Sequence, residues 1–175
     1  MELARRLFEV DQSISQKLGE LGRTDPVTRI VVTKNHPVEL ALELFQLGVR
    51  DFGENRDQEA GPKAQELAEL TDVAGLNWHF VGQLQSNKAK RVVKYANTVH
   101  SVDRQSLLDA LVVATAPLER ELDVFLQVNL TDDENRGGVN PSELLPMAEQ
   151  VAIAPGMRLL GVMAVGGLDV DPRHE

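Results

Sequence analysis

The sequence predicts an α/β protein built on a parallel sheet of the TIM-type (β/α)8 barrel class, and three observations carry that prediction. Short apolar runs alternate with helical stretches in one repeating order, six times over. The apolar runs are mostly continuous, as strands covered on both faces require. No Gly-x-Gly-x-x-Gly follows the first run, which removes support from the dinucleotide-binding open sheet.

Leu3, Leu7, Val10, Ile14, Leu18 and Leu21 recur every three or four residues and predict one helix over about 3–21, stopped at Gly22. The first strand is placed over 30–33. A helix from 37 to about 47 follows and ends at Gly48. The next strand covers 49–52 and the next helix about 58–70. A third strand at 78–81 leads to Ser86, which reads as the cap of a basic helix reaching about 96. Strand four covers 98–102 and its helix 105–114. Strand five covers 124–129, and Pro141 opens a helix to about 153. Strand six covers 158–165. A complete barrel takes eight units and about 250 residues. With 175 residues and a loop-like run from Gly166 to the end, the expectation is a single domain over 1–175 with about six βα units and the last two missing.

Composition narrows the function classes. The chain is 42% hydrophobic and 26% charged, with a formal net charge of −9. That balance fits a soluble domain with a sizeable core and argues against nucleic acid or an anionic membrane as partner. There is no cysteine, hence no disulfide, no thiolate metal site and no cysteine nucleophile. The N-terminus has no signal-peptide pattern, and no apolar run is long enough to span a bilayer. A cytoplasmic location is the expectation.

In a barrel, functional groups gather at the C-terminal ends of the strands, and the unusual polar residues fall there. Lys34 closes the first strand. A buried lysine has a lowered pKa, and a neutral amine can form a Schiff base with an aldehyde; alternatively Lys34 simply reaches solvent. Glu54 and Asn55 follow strand two. His79 lies in strand three, with Gln83, Gln85 and Asn87 beyond it. Ser101 and Asp103 end strand four, Asn129 ends strand five, and Met163 lies near the end of strand six. Asn55 and Asp103 read equally as helix caps. His79, between Trp78 and Phe80, also reads as a satisfied core histidine, and Met163 as core. Lys88, Lys90, Arg91 and Lys94 read as a solvated helix face. Tyr95 reads as a residue of a surface helix, far from the strand ends.

Several segments together resemble the pyridoxal phosphate homeostasis protein family. They are Val32-Thr33-Lys34-Asn35-His36-Pro37, Phe52-Gly53-Glu54-Asn55 with Gln58-Glu59, and the run from His79 to Lys88 that reads HFVGQLQSNK. His100-Ser101-Val102-Asp103-Arg104, Gln127-Val128-Asn129 and Gly161-Val162-Met163-Ala164-Val165 continue the resemblance in the same order. It implies an alanine-racemase-like barrel binding pyridoxal 5′-phosphate (PLP) as a Schiff base on Lys34, with Asn55, His79 and Met163 near the cofactor. It implies a noncatalytic role in vitamin B6 and amino-acid homeostasis, with PLP-dependent apoenzymes as possible recipients and a monomer at full length. Arg136, in Glu134-Asn135-Arg136-Gly137-Gly138, stands where many members have lysine. The family's glycine- and serine-rich phosphate cradle would lie beyond residue 175, where barrel phosphate sites are expected.

Two alternatives stay open. One is a PLP-dependent amino-acid racemase, which needs a tyrosine base opposite the lysine. The other is a truncated chain that no longer binds PLP. A Schiff-base aldolase has no supporting sugar-phosphate signature. If strands one and six are left without outer neighbours, self-association is expected.

Overall fold

The computed structural model describes residues 2–131 and 136–166. Glu134 and Asn135, and the loop-like stretch after Gly166, lie outside the described residues. The elements run α1 (Glu2–Glu20), β1 (Val31–Val32), α2 (Val38–Gln46), β2 (Asp51–Glu54), α3 (Asp57–Leu70) and β3 (Asn77–Phe80). They continue with α4 (Ala89–Val92), β4 (Thr98–Val102), α5 (Gln105–Thr115), β5 (Leu122–Val128), α6 (Leu144–Ile153) and β6 (Met157–Ala164). Short 3₁₀ turns, Ser86–Lys88 and Pro141–Glu143, lead into α4 and α6.

All strands are parallel and stand in the order β1-β2-β3-β4-β5-β6. A doubly wound sheet reverses its strand order at a switch point; this one never does, which is the order of barrel staves. Among the described residues, β1 and β6 each pair on one side only.

Residue alternation gives the sheet two unlike faces. Phe52, Trp78, Phe80, Val99, Leu122, Val124 and Leu126 point to the helices. They pack in two apolar clusters, one with α1, α2 and α3 around Phe52 and Trp78, the other with α4, α5 and α6 around Val99, Leu111 and Val124. The opposite, inner face carries Val32, Gly53, His79, Thr98 and Asp123, which follow one another strand to strand in register. β4 is buried throughout, but β5 alternates between buried and half-buried positions, and β6, after the buried Met157, alternates between exposed and half-buried ones. The continuous burial expected of every strand fails there: the inner positions of β5 face away from the helices, and on β6 even Val162, in register with the helix-facing Leu126, is 58% exposed.

Several local expectations change. β1 shrinks to two ladder residues, although Thr33 N–H still donates to Gly53 O at 3.0 Å. The basic helix predicted to reach residue 96 is only Ala89–Val92, followed by turns, and the residue capping the 3₁₀ turn is Gln85, not Ser86. In α1, Leu3 and Leu7 pack on the core, but Val10 and Leu21 point to solvent. Asp11 takes the inward place of Val10 and accepts a 2.6 Å hydrogen bond from Arg29 Nε. The apolar stripe is thus interrupted by a charged anchor to the segment before β1. The glycine stops hold: Gly22 and Gly48 adopt φ of 62° and 92°, a region costly for other residues.

Candidate functional site

The mouth of the inner face is built from the strand ends. Lys34 follows Thr33, whose side chain turns toward the helices and donates from Oγ1 to Glu54 Oε1 at 2.7 Å. Alternation therefore sends Lys34 the other way, above Val32. Lys34 is exposed and makes no hydrogen bond or ion pair with any described residue. The next residue, Asn35, has φ of 62°, the one non-glycine among the described residues at positive φ. Such a conformation is uncommon and recurs at functional sites. The amine of Lys34 is thus held at a sharp corner, unpaired, at the edge of the inner face.

Glu54 and Asn55, adjacent in sequence, serve opposite faces. Glu54 is fully buried on the helix side, bonded to Thr33 and Lys63, so it does not belong to the mouth. Asn55 continues the inner alternation. Its Oδ1 is buried and has no hydrogen-bond partner among the described residues. Asn55 is not a helix cap: the cap of α3 is Arg56, without a side-chain bond. Asp103 likewise leaves the start of α5 to Arg104 and instead accepts from Gly138 N–H at 3.2 Å and Arg104 at 2.6 Å. Beside this mouth lies a cleft of about 550 Å³ lined by Asn55, Gln83, Asp103, Arg104 and Arg136, among others.

Below the rim sits a polar chain that the sequence reading did not assemble. His79 Nε2 lies 3.1 Å from Asp51 Oδ1, and His79 Nδ1 lies 2.9 Å from His100 Nε2. Asn77 Nδ2 donates to the same Asp51 oxygen at 3.2 Å. The His100 ring stacks on Phe125 with centroids 4.7 Å apart. Burial, and then the neighbouring His79, pushes the His100 pKa down to about 4. Both ring nitrogens of His79 are thereby occupied, as a satisfied core histidine requires. The overlooked signal was positional: His79 and His100 lie on the inner faces of adjacent strands.

Met163 pairs in register with Gln127 on β6, so it shares the inner face but stands on the last strand of the arc. The strand order brings Lys34, Asn55 and His79 onto neighbouring strands and leaves Met163 at the other edge. Asn129 bonds Thr131 through Oδ1 and closes the loop after β5. Ser101 is fully buried. Arg91, expected on a solvated face, reaches the buried Asp57 at 3.1 Å. Tyr95 is half-buried rather than exposed. It lies in the turn after α4, its hydroxyl is buried without a partner among the described residues, and burial holds the phenol well above its ordinary pKa. It packs on the helix side against the core clusters and near Gly61 of α3.

Residues 22–173 match the family described as alanine racemase, N-terminal domain. A pyridoxal phosphate homeostasis protein of Pseudomonas aeruginosa is 38% identical over 165 residues, covering 93% of this chain and 70% of the relative. The chain belongs to the pyridoxal phosphate homeostasis protein family. Among solved structures, PipY of Synechococcus elongatus with PLP bound is 34% identical, with a TM-score of 0.75 over 92% of this chain and 74% of that one. A protein of unknown function from Bifidobacterium adolescentis superposes with a TM-score of 0.87 at 28% identity, covering 97% of this chain and 72% of the other. In this member of the pyridoxal phosphate homeostasis protein family, the ends of the neighbouring strands β1 and β2 carry the Lys34 amine and the buried Asn55 Oδ1, each without a hydrogen-bond partner among the described residues. Among the described residues there is no cluster of three or more His, Asp or Glu fit to hold a metal ion, and no helix is long and apolar enough to cross a membrane.

Proposed function

We propose that this chain binds PLP as a Schiff base on Lys34 and acts, without catalysing a reaction of its own, in vitamin B6 and amino-acid homeostasis. The observation that carries the reading is the unpaired Lys34 amine at the inner-face mouth, in a family that includes a member solved with PLP bound. The residues present fit the aldehyde end of the cofactor. Lys34 supplies the amine, and the Asn55 Oδ1 acceptor, buried and unsatisfied, is available to a ligand donor. His79, held between Asp51 and His100, and Met163 on β6 complete the proposed surroundings. When bound, PLP supplies an electrophilic aldehyde; the protein's part is to present one amine and exclude the others. Delivery to PLP-dependent apoenzymes, in the cytoplasm and as a monomer at full length, belongs to the same reading.

Racemisation fits less well. The sole tyrosine, Tyr95, lies on the helix side of the sheet with its hydroxyl buried, and so does not stand opposite Lys34 as a second base.

The test is a visible absorption titration with PLP, borohydride reduction and peptide mapping. The expected result is a saturable band and a single reduced adduct on Lys34, both lost in Lys34→Ala. Label scattered over surface lysines would refute the assignment.

A further inference from the structure

Lys63 is a second lysine beside the same strand end, and it is 7% exposed on the helix side. Its Nζ donates to Thr33 O at 2.8 Å and to Glu54 Oε1 at 2.5 Å. Glu54 is fully buried and also accepts from Thr33 Oγ1 at 2.7 Å. Thr33 is thus held at three points: its N–H on Gly53 O, its hydroxyl on Glu54 and its carbonyl on Lys63. The same carbonyl accepts from His36 N–H at 3.1 Å, closing the turn around Lys34 and Asn35.

The Thr33 carbonyl belongs to the peptide plane that ends at the Lys34 nitrogen, so anchoring that oxygen fixes one side of the Lys34 backbone. Regular β pairing cannot do this, because β1 has only two ladder residues and one neighbour among the described residues. We infer that the buried Lys63–Glu54 pair is a positioning device: it fixes the Thr33–Lys34 peptide and so aims the Lys34 amine across the inner face. The inference rests on the proposed attachment of PLP to Lys34. A buried ion pair is weak evidence for stability, since well-packed apolar residues often replace one without loss. A positioning role gives it a separate reason to be there.

The experiment compares the parent chain with Lys63→Met and with the double variant Glu54→Gln/Lys63→Met, which leaves no buried charge without its partner. Three quantities are read well below each melting temperature: the PLP dissociation constant, the induced circular dichroism of the bound chromophore, and the borohydride adduct. The expected result is an adduct on Lys34 in all folded proteins. Affinity in the double variant falls about ten-fold, the scale of one lost hydrogen bond from a charged donor. The induced dichroism at saturation is altered, because the chromophore is no longer held in one orientation. A merely structural pair would lower the melting temperature and leave both affinity and dichroism unchanged; that result overturns the inference while leaving attachment to Lys34 intact. A parent chain without a Lys34 adduct overturns the attachment itself, and the inference with it. Should Lys63→Met fail to fold, the double variant decides alone.

Discussion

Acidification is a direct test of the inner-face histidine pair. His100 is 8% exposed, stacked on Phe125 and linked to His79 and through it to Asp51. Burial first, and His79 second, lower its pKa from 6.5 to about 4. In the unfolded chain it returns to its ordinary value. Between these two pH values the unfolded chain carries a proton that the folded chain does not, so stability must fall as the pH drops. The contribution of neutral His100 is complete above pH 6.5 and lost by about pH 4. At about 1.4 kcal/mol per pKa unit the full loss is about 3 kcal/mol. The inner face opens to solvent near Asp51, whose side chain is 23% exposed, and screening brings the expected loss to about 2 kcal/mol. The assay is urea unfolding followed through Trp78, the sole tryptophan and 4% exposed, at several pH values for the parent and for His100→Gln. Titrating groups that do not touch His100 are common to both proteins, so the difference between the two curves reports His100 together with its bonded partner His79. The parent is expected to lose about 2 kcal/mol more than the variant across the window. Parallel curves would refute the claim that His100 is kept neutral by burial.

Two further predictions concern the rim and the sheet edges. Gly82→Ala would place a Cβ 2.2 Å from the Asn55 carbonyl oxygen, which cannot move without dragging the end of β2; a loss of about 3 kcal/mol, at the upper end for overpacking, is expected in thermal or urea unfolding. Unchanged stability would mean that the two loops separate freely. The one-sided pairing of β1 and β6 among the described residues, with Val32 44% and Val162 58% exposed, predicts concentration-dependent association of this chain in sedimentation velocity, and a monodisperse monomer would refute it.

The repeating order of strands and helices was legible because a strand packed against helices must carry apolar residues, which single out the strand segments, and glycines at 22 and 48 mark helix ends by a conformation few residues accept. The strand-end rule put Lys34 and Asn55 at the mouth of the inner face, and alternation from Val32 and Gly53 keeps both on that face. It misassigned Glu54 because one residue of alternation separates the two faces, and a count of residues from a strand end does not say which face is reached until the ladder is fixed. Lys63 and His100 escaped for a different reason. Each gains meaning only from a partner on another element: Lys63 from a carbonyl 30 residues away, His100 from a histidine 21 residues away. Sequence periodicity describes one element at a time and is blind to such pairs. Tyr95 was placed at the surface because its segment reads as a basic helix; the helix is one turn long, and the turn after it leaves the ring half-buried against the core.

The two lysines beside β1 stand in opposite environments. Both sit within reach of the same strand end, yet Lys63 is buried with each contact accounted for, while Lys34 is exposed and unpaired. An ammonium that stabilises a core must be paired, because an uncompensated buried charge is destabilising. An amine that takes up an aldehyde must instead be free of carboxylates, which would favour its charged, unreactive form. Alternation along β1 and β2 satisfies both demands with neighbouring residues. Thr33 and Glu54 face the helices and engage Lys63, so the carboxylate closest in sequence to the mouth is already committed on the other side of the sheet. Lys34 and Asn55 then face inward, and the acid at that corner, Glu59, accepts from the Asn35 N–H at 3.2 Å and from Arg56 at 3.3 Å rather than from the Lys34 amine. Shifting β2 by one residue would turn Glu54 to the face of Lys34 and leave Lys63 without its acid.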